Sequence, residues 1–474
     1  MDAALSGTAG TAGPIGADTV LSEPEAEQYI NGICFKTGPP TRVGVELEWL
    51  VRDRANPSSV VPSERITPVL APLYAADGLP GGSRLTREPG GQLELSSAPG
   101  ESLGDCLNRT AADLELLRAA LARGGALLHG RGLDPYRTPP RVLDSPRYRA
   151  MEAHFDRGGP WGRVMMRATA ALQISLDAGD DTEGPAGYRQ RWLLAHRLGP
   201  VLVAAFANSP VWRGRPTGWA STRQSIWARM DPPRTRPAHS STIDRSSAEQ
   251  APADRSPAGR AAAGASPDPA GATRPPAPRP DLAHSSACPR EQWTRYALDA
   301  SLLCLRGGPE DGGGADWSAP PRLTFRDWLR GRGRIRPPTR ADLDYHLGTL
   351  FPPVRPRGWM ELRMIDAQYG DGWIAAAAVT ATLLDDPYAA RVAHRALEGL
   401  DSSDLWLRAA RLGPADPELG PAVRACVAAA ELALARSDPG GTAHRAVAAF
   451  AERYSERGRC PADDCLDQLT GARR

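Results

Sequence analysis

Four segments of the chain alternate apolar and polar residues with the period of two that is typical of a β-strand. They read VGVELEWLV (43–51), GGQLELSSA (90–98), ALQISLDAG (171–179) and WMELRMID (359–366). In the last segment the alternation predicts one face formed by Met360, Leu362 and Met364 and an opposite face formed by Glu361, Arg363 and Ile365. The pattern therefore predicts four strands, each with one apolar face for packing and one polar face.

The polar faces of these strands allow two interpretations. One is an antiparallel sheet whose outer face is simply solvated. The other is a cation site, because Glu46 and Glu48 lie on one face about 6.5–7 Å apart, which is unfavourable for like charges unless water or cations neutralise them. Solvated faces are usually rich in Lys, Thr and Arg, whereas these carry mainly Glu. If the strands are neighbours, their oxygen ligands suit Mg²⁺ or Mn²⁺.

Between and after these strands the apolar spacing predicts α-helices. Residues 102–124 begin at Ser102, a good N-cap, and end at Gly124. A helical region over 186–207 is predicted to break at Gly199–Pro200. The alanine-rich region after residue 372 predicts an N-cap at Asp386 before Pro387, and helices over Ser402–Leu412, Pro421–Arg436 and Thr442–Arg457.

Composition along the chain predicts the domain organisation. Residues 1–22 are expected to be a disordered lead-in, without the basic and apolar regions of a secretory signal. Residues 23–474 are expected to form one domain, whose C-terminal part, 372–474, is helical. Residues 237–290 are rich in Pro, Ala, Ser and Arg and predict a disordered insertion. No stretch predicts a membrane helix, and we expect a cytoplasmic protein.

The net charge and the motifs of the sequence exclude several classes of function. The formal net charge is +2 over 474 residues, so the sequence does not show the excess of basic residues that is typical of a nucleic-acid-binding protein. Lys36 is the single lysine, so any phosphate must be held by arginine, backbone N–H groups or metal. The lysine-containing P-loop and kinase motifs are absent, as are histidine motifs for zinc. The closest cysteine couple, Cys460 and Cys465, is expected to be free.

Five motifs occur in an order that resembles one enzyme family. They are VGVELEWL (43–50), REPGGQLELSS (87–97), MMRATAALQISLDAG (165–179), RQSIWARMDPPRT (223–235) and HLGTLFPPVRPRGWMELRMIDAQ (346–368). Together they resemble the plant and actinobacterial type of glutamate–cysteine ligase, in the carboxylate–amine ligase superfamily. The resemblance is greatest to the actinobacterial branch that serves ergothioneine biosynthesis, and it runs from about residue 25 to 455 outside the predicted insertion.

The resemblance implies a fold and a reaction. The fold would be α+β and glutamine-synthetase-like, with a curved, mainly antiparallel sheet forming an active-site funnel surrounded by helices. ATP, with Mg²⁺ or Mn²⁺, would phosphorylate the γ-carboxylate of L-glutamate. The amino group of L-cysteine would then attack the acyl phosphate, giving γ-glutamylcysteine, ADP and phosphate. The implied partners are these small molecules, with no nucleic acid and no membrane, and a monomer or weak homodimer is expected.

The resemblance also implies a role for individual residues. The implied metal ligands are Glu46, Glu48, Glu94 and Glu361. The implied substrate or ATP contacts are Glu88, Gln173, Arg223, Trp227 and Thr235, of which Glu88 could instead bind metal. The implied catalytic arginines are Arg363 and Arg234. Members of the family usually continue with Thr-Gly or Cys-Gly after the second arginine. Here Thr235 is followed by Arg236, Pro237 and the predicted insertion.

Three other functions remain to be weighed. A sister ligase that joins glutamate to a different amine would share the carboxylates and differ only in the acceptor pocket. A non-catalytic ligand-binding relative would be expected to have lost the carboxylates, all of which are present. An ATP-independent hydrolase fits poorly, because the chain has neither a Ser/His/Asp motif nor a zinc pattern.

Overall fold

The structure, a computed structural model, describes residues 17–75, 78–239, 288–307, 316–400 and 402–471. The strands are β1 (Val43–Asp53), β2 (Arg84–Arg87), β3 (Leu93–Ser96), β4 (Ala126–His129), β5 (Ala171–Asp177), β6 (Val211–Trp212), β7 (Arg215–Pro216), β8 (Val354–Pro356) and β9 (Trp359–Asp366). The helices are α1 (Glu23–Ile33), α2 (Ser63–Ala75), α3 (Leu103–Arg123), α4 (Pro146–Asp156), α5 (Trp161–Ala168), α6 (Tyr188–Ala205), α7 (Thr222–Met230), α8 (Pro232–Thr235), α9 (Pro289–Asp299), α10 (Phe325–Leu329), α11 (Arg340–Leu347), α12 (Gly372–Asp385), α13 (Pro387–Ala396), α14 (Leu405–Leu412), α15 (Leu419–Ser437), α16 (Thr442–Arg453) and α17 (Pro461–Gly471).

A seven-stranded sheet of entirely antiparallel pairs organises the described residues. Its order is β2-β3-β1-β5-β9-β8, and β4 pairs with the far end of β1. The four predicted strands are its four central members, and β6 and β7 form a separate hairpin. The predicted α+β class and mainly antiparallel sheet are therefore confirmed.

The apolar face of the sheet packs on a helical layer. Val45 on β1, Ile174 on β5 and Leu362 on β9 are buried in the main hydrophobic cluster, together with side chains of α6, α12 and α15. A smaller cluster joins Leu85 of β2 and Leu93 of β3 to α2 and α3. The alternation in the sequence identified this face correctly, because a residue two places along a strand returns to the same side.

The alternation on β9 is interrupted by a β-bulge. The pairing of β5 with β9 changes register between Leu172↔Ile365 and Ile174↔Leu362, so two residues of β9 oppose Gln173. The prediction that Ile365 shares the face of Glu361 is therefore wrong, and Ile365 lies in the main core. A bulge of this kind re-aims the side chain next to it, which here is Arg363.

The helices that the sequence predicted are present, with one correction. Helix α3 begins after Ser102, whose Oγ accepts the Asp105 N–H at 3.1 Å, and is capped by Gly124. Helix α6 does not break at Gly199–Pro200 but runs continuously through both residues. A Cβ on Gly199 would lie 2.0 Å from Cη2 of Trp406 on α14, so the glycine allows two helices to approach closely. This tertiary packing overrides the local preference of proline.

The structure allows only part of the predictions about the chain ends and the insertion to be compared with it. Within the predicted lead-in, Leu21 is buried and its N–H donates to Pro338 O at 3.0 Å, so residues 17–22 are not all disordered. The rest of that segment, 1–16, and most of the predicted insertion, 240–287, lie outside the described residues. The predicted free state of Cys460 and Cys465 is confirmed. Among the helices of the described residues, none combines the length and hydrophobicity that a membrane span requires.

The contact between Gly199 and Trp406 leads to a stability prediction. We expect Gly199→Ala to lower the free energy of unfolding by about 1–3 kcal/mol, the usual cost of overpacking a tight contact. Gly104→Ala on α3 is the matched control, because a Cβ there meets no atom within 4 Å. It should leave stability unchanged or raise it by up to about 1 kcal/mol through helix propensity. Urea unfolding followed by circular dichroism measures the stability of both variants. Equal effects of the two substitutions would contradict the close packing of Gly199 against Trp406.

Candidate active site

Strand register brings the predicted site residues of β1, β3, β5 and β9 onto one face of the sheet. Glu48 of β1 is directly opposite Glu94 of β3, and Glu46 of β1 is directly opposite Gln173 of β5. Glu361 of β9 is opposite Ser175 of β5 and Arg355 of β8. Carboxylates from three distant segments of the sequence therefore share one face of the sheet with Gln173 of a fourth, and we call this face the acidic wall.

The carboxylates of this wall differ in how many protein groups they bind. Glu48 accepts the Ala171 N–H at 2.8 Å and Gln173 Nε2 at 3.1 Å. Glu94 Oε1 accepts the hydroxyls of Thr86 and Ser96 at 3.0 and 3.1 Å. Within the described residues no group donates a hydrogen bond to the carboxylate of Glu46. The wall thus retains oxygen atoms that can accept an external ligand.

Burial and mutual repulsion raise the pKa of four of these groups. Burial, followed by the charges of Glu361 and Glu94, raises the pKa of Glu46 to about 8. Burial, followed by the charges of Glu94 and Glu48, raises the pKa of Glu88 to about 8. The pKa of Glu48 and that of Glu94 are also raised, chiefly by burial. Such a cluster holds protons in the absence of cations, which is the electrostatic signature of a site built for positive charge.

Glu361 has the opposite electrostatic environment. Although burial opposes it, the guanidinium groups of Arg355 and Arg363 lower the pKa of Glu361 to about 2. Arg355 binds it with two nitrogens, at 2.7 and 2.9 Å, and Arg363 Nη1 lies 2.6 Å from Glu361 Oε1. Glu361 is therefore an ionised carboxylate already neutralised by protein, unlike the other members of the wall.

Arg363 is placed by the bulge and by contacts on both sides of it. Its Nη1 also donates to Gln173 Oε1, while its Nε is buried without a partner among the described residues. From α7, Arg223 donates to the carbonyls of Arg363 and Met364 at 3.0 and 3.2 Å, and Gln224 donates to Met364 O at 2.6 Å. Helix α7 thus binds both carbonyls of the bulge and fixes the direction of the Arg363 side chain.

The remaining predicted residues lie beside this site in a network of their own. Arg234 is fully buried and donates to Asp231 at 3.0 Å, to Thr349 O at 2.7 Å and to Ser301 O. The Thr235 hydroxyl donates to backbone carbonyls, one of them of Trp227 at 3.0 Å. Every nitrogen of the Arg234 guanidinium thus has a protein partner, and contact of Arg234 and Thr235 with substrate stays a prediction. The Trp227 indole N–H is buried without a partner in the described part of the chain.

The wall fits a divalent cation in charge and ligand type, but not as a cage made by protein alone. In the described part of the chain no three His, Cys, Asp or Glu side chains are positioned to hold one ion together. Mg²⁺ in proteins is commonly held by one or two carboxylates, with water and substrate phosphates as its other ligands. The directly opposed pair of Glu48 and Glu94, with Glu46 beside it, meets that requirement.

Sequence reasoning missed some residues of this site. Arg355 lies on β8, a strand of three residues that contains a proline and carries no alternation signal. Asp366 is 2% exposed and accepts Asn208 N, Ser209 Oγ and Ser221 Oγ at 2.9, 2.7 and 3.0 Å. An aspartate ending an apolar strand was a signal available in the sequence, whereas the partners of Arg355 depend on sheet pairing.

Comparisons with known proteins match glutamate–cysteine ligases over most of the chain. The model of glutamate–cysteine ligase family 2 matches residues 42–249 and 274–474. The glutamate–cysteine ligase EgtA of Mycobacterium tuberculosis (strain H37Rv) is 37% identical over 451 residues, which cover 94% of this chain and 90% of that protein. The protein of the same name from Mycolicibacterium smegmatis is 36% identical over 453 residues, with coverage of 94% and 92%.

More distant matches cover less of the sequence or resemble it less. The chloroplastic glutamate–cysteine ligase of Brassica juncea is 28% identical over 292 residues, which are 60% of this chain and 46% of that protein. A solved structure of a glutamate–cysteine ligase from Francisella tularensis in complex with AMP has a TM-score of 0.46 and 12% identity, and covers 91% of this chain and 85% of that one.

The raised pKa values predict how stability depends on pH without metal. A carboxyl whose pKa is about 8 when folded and 4.5 otherwise stabilises the fold most below pH 4.5, and this contribution is lost as pH rises through about 8. Wild type in EDTA should therefore lose stability between pH 5.5 and 8.5. Glu46→Gln cannot ionise, so we expect it to gain on the order of 1–2 kcal/mol relative to wild type over this interval.

Urea unfolding at several pH values measures this difference. Glu101→Gln is the matched control, because Glu101 is exposed and lies outside the strands that form the wall. Its curve should run parallel to that of wild type. If Glu46→Gln also ran parallel to wild type, the wall would not carry the repulsion described above.

Proposed function

The chain belongs to glutamate–cysteine ligase family 2, and from this premise we propose that it joins the γ-carboxylate of L-glutamate to the amino group of L-cysteine, using ATP. The observation that carries the proposal is the acidic wall, on which strand register aligns Glu46, Glu48 and Glu94 beside Gln173 and Arg363. A wall of partly protonated carboxylates suits a reaction whose substrates bring polyphosphate together with cations.

The proposed reaction has two steps. A carboxylate is a poor electrophile, so its oxygen first attacks the γ-phosphorus of ATP, and ADP leaves. The cysteine nitrogen then attacks the carbonyl carbon of the γ-glutamyl phosphate, loses a proton, and phosphate leaves with the C–O bonding pair. Both steps need positioning and charge stabilisation rather than a protein nucleophile.

Cations are proposed to bind at the wall. The residues that would hold Mg²⁺ or Mn²⁺ are Glu46, Glu48 and Glu94, with Glu88 on the neighbouring turn and Glu361 as a further candidate ligand. Bound Mg²⁺ would neutralise phosphate oxygens and act as a Lewis acid. Glu361 differs from the others because Arg355 and Arg363 already neutralise its charge. It could bind a cation only if its ion pairs with these arginines changed.

Arginine is the expected partner of the transferred phosphoryl group. Arg363 has an unpartnered buried Nε next to Gln173 and Glu361, so it is our candidate for contact with developing negative charge. Arg223 is a positioning residue, because it binds the backbone carbonyls that orient Arg363. We propose Gln173 and Trp227 as substrate contacts, and Arg234 and Thr235 as residues that support the loop beside them.

We further propose that the product serves ergothioneine biosynthesis and that the enzyme acts in the cytoplasm. This proposal rests on the resemblance to the actinobacterial branch of the family. Deleting the gene should abolish ergothioneine, and adding γ-glutamylcysteine should restore it. Ergothioneine that persists in the deletion strain would assign the product to another pathway.

The substrates can be tested by phosphate release. With MgATP, we expect release of phosphate and formation of γ-glutamylcysteine, detected by mass spectrometry, only when glutamate and cysteine are both present. A panel of other amines in place of cysteine tests the sister-ligase alternative. A higher kcat/KM for another amine would transfer the proposal to that acceptor, and no product with any amine would exclude ligase activity.

Glu46→Gln tests the cation assignment. We expect kcat to fall by about 100-fold or more and the Mg²⁺ concentration for half-maximal rate to rise, because a charged ligand of the proposed site is replaced by a neutral amide. Glu101→Gln serves again as the control and should keep both values. Unchanged Mg²⁺ dependence in Glu46→Gln would show that the cations bind elsewhere.

A further inference from the structure

A cavity lies beside the turn between β2 and β3. Its volume is about 120 Å³, and its walls are the end of β1, the start of α2, the turn residues Gly90–Gln92 and the loop after β4. Glu88 is on the same turn, whose backbone is closed by the Glu88 N–H donating to Gln92 O at 2.9 Å. The cavity and the acidic wall therefore share this turn.

The charge of this cavity is the reverse of the charge of the wall. Four arginines line it, Arg52, Arg87, Arg137 and Arg167. Arg52 forms an ion pair with Asp134 at 2.6 Å, and Arg167 donates to Glu152 at 2.7 Å. Among the described residues Arg87 donates only to Ser63 Oγ at 3.0 Å, and Arg137 makes no ion pair. Two positive charges are therefore uncompensated.

The two uncompensated arginines also have unsatisfied donors. Arg87 Nε, Arg137 Nε and Arg137 Nη2 are buried without a hydrogen-bond partner in the described part of the chain. The loop that presents Arg137 is ordered, since Asp134 Oδ1 accepts the N–H groups of Tyr136 and Arg137 at 2.8 and 3.1 Å. Buried charged donors without partners are costly, which favours a ligand that supplies acceptors.

We propose that this cavity binds a phosphate dianion. Two uncompensated guanidinium groups match a charge of −2, and the fork of N–H donors on each matches the oxygens of a tetrahedral anion. Gln92 Oε1 is also buried without a partner among the described residues, and it can accept the P–OH of monohydrogen phosphate. A carboxylate anion offers neither the second charge nor that donor.

This site is separate from the proposed catalytic site and does not depend on the proposed function. Arg52 is four residues beyond Glu48 on β1, which places their Cα atoms about 13 Å apart. Phosphate held there would tie the turn residues Gly90–Gln92 to the loop of Arg137. Because Glu88 belongs to this turn, bound phosphate would also restrict the motion of Glu88.

Calorimetric titration of the full chain with inorganic phosphate tests the proposal. The titration is done in EDTA at constant ionic strength, because without cations the acidic wall repels phosphate. We expect one phosphate per chain and no binding of acetate at the same concentration. Arg137→Gln should weaken phosphate binding by about tenfold or more, the loss expected for one charge-assisted interaction.

Two further variants make the outcome decisive. Arg295→Gln, at an exposed position of α9, should bind phosphate like wild type. Arg137→Lys should bind less well than wild type but better than Arg137→Gln, since it keeps the charge and loses the fork. The proposal is overturned if wild type takes up no phosphate, if acetate binds as well, or if a folded Arg137→Gln binds phosphate as tightly as wild type.

Discussion

The register of β1 against β3 and β5 is the constraint on which the site depends. A shift of one residue in either pairing would turn Glu46 and Glu48 into the helix-packed face and bring Val45 and Leu47 out of the core. The register is held by the burial of that apolar face, whose residues belong to the largest hydrophobic cluster. The same burial free energy that stabilises the sheet therefore keeps like charges together on its other side.

The site has two regions, at different positions along the sheet, with opposite effects on the pKa of a carboxylate. Glu46, Glu48, Glu88 and Glu94 lie where burial and mutual repulsion raise their pKa values, whereas Arg355 and Arg363 lower the pKa of Glu361 at the other end. The first region favours incoming positive charge. The second presents a guanidinium beside a carboxylate, held by the bulge of β9 and by α7. The ligation reaction proposed above would use both kinds of surface, one for cations and one for the phosphoryl group.

Arginine provides most of the positively charged groups in this chain, as expected for a sequence with one lysine. The planar guanidinium can bind several carbonyls or both oxygens of a carboxylate. Arg223 and Arg234 use this property to join backbone segments, and Arg355 uses it to bind Glu361. Arg87 and Arg137 differ from these three arginines, because neither forms an ion pair within the described residues and each has a buried Nε without a hydrogen-bond partner there.

The sequence by itself determined the period-two strands, the helix caps at Ser102 and Asp386, and the set of carboxylates on the polar faces, because alternation and capping are local properties. Only the tertiary structure decided which strands are neighbours. It also turned Ile365 into the core through a bulge, carried α6 through Gly199–Pro200, and placed Arg355 on Glu361. These features arise from contacts between residues distant in the chain, where packing and sheet pairing outweigh the preference of any single segment.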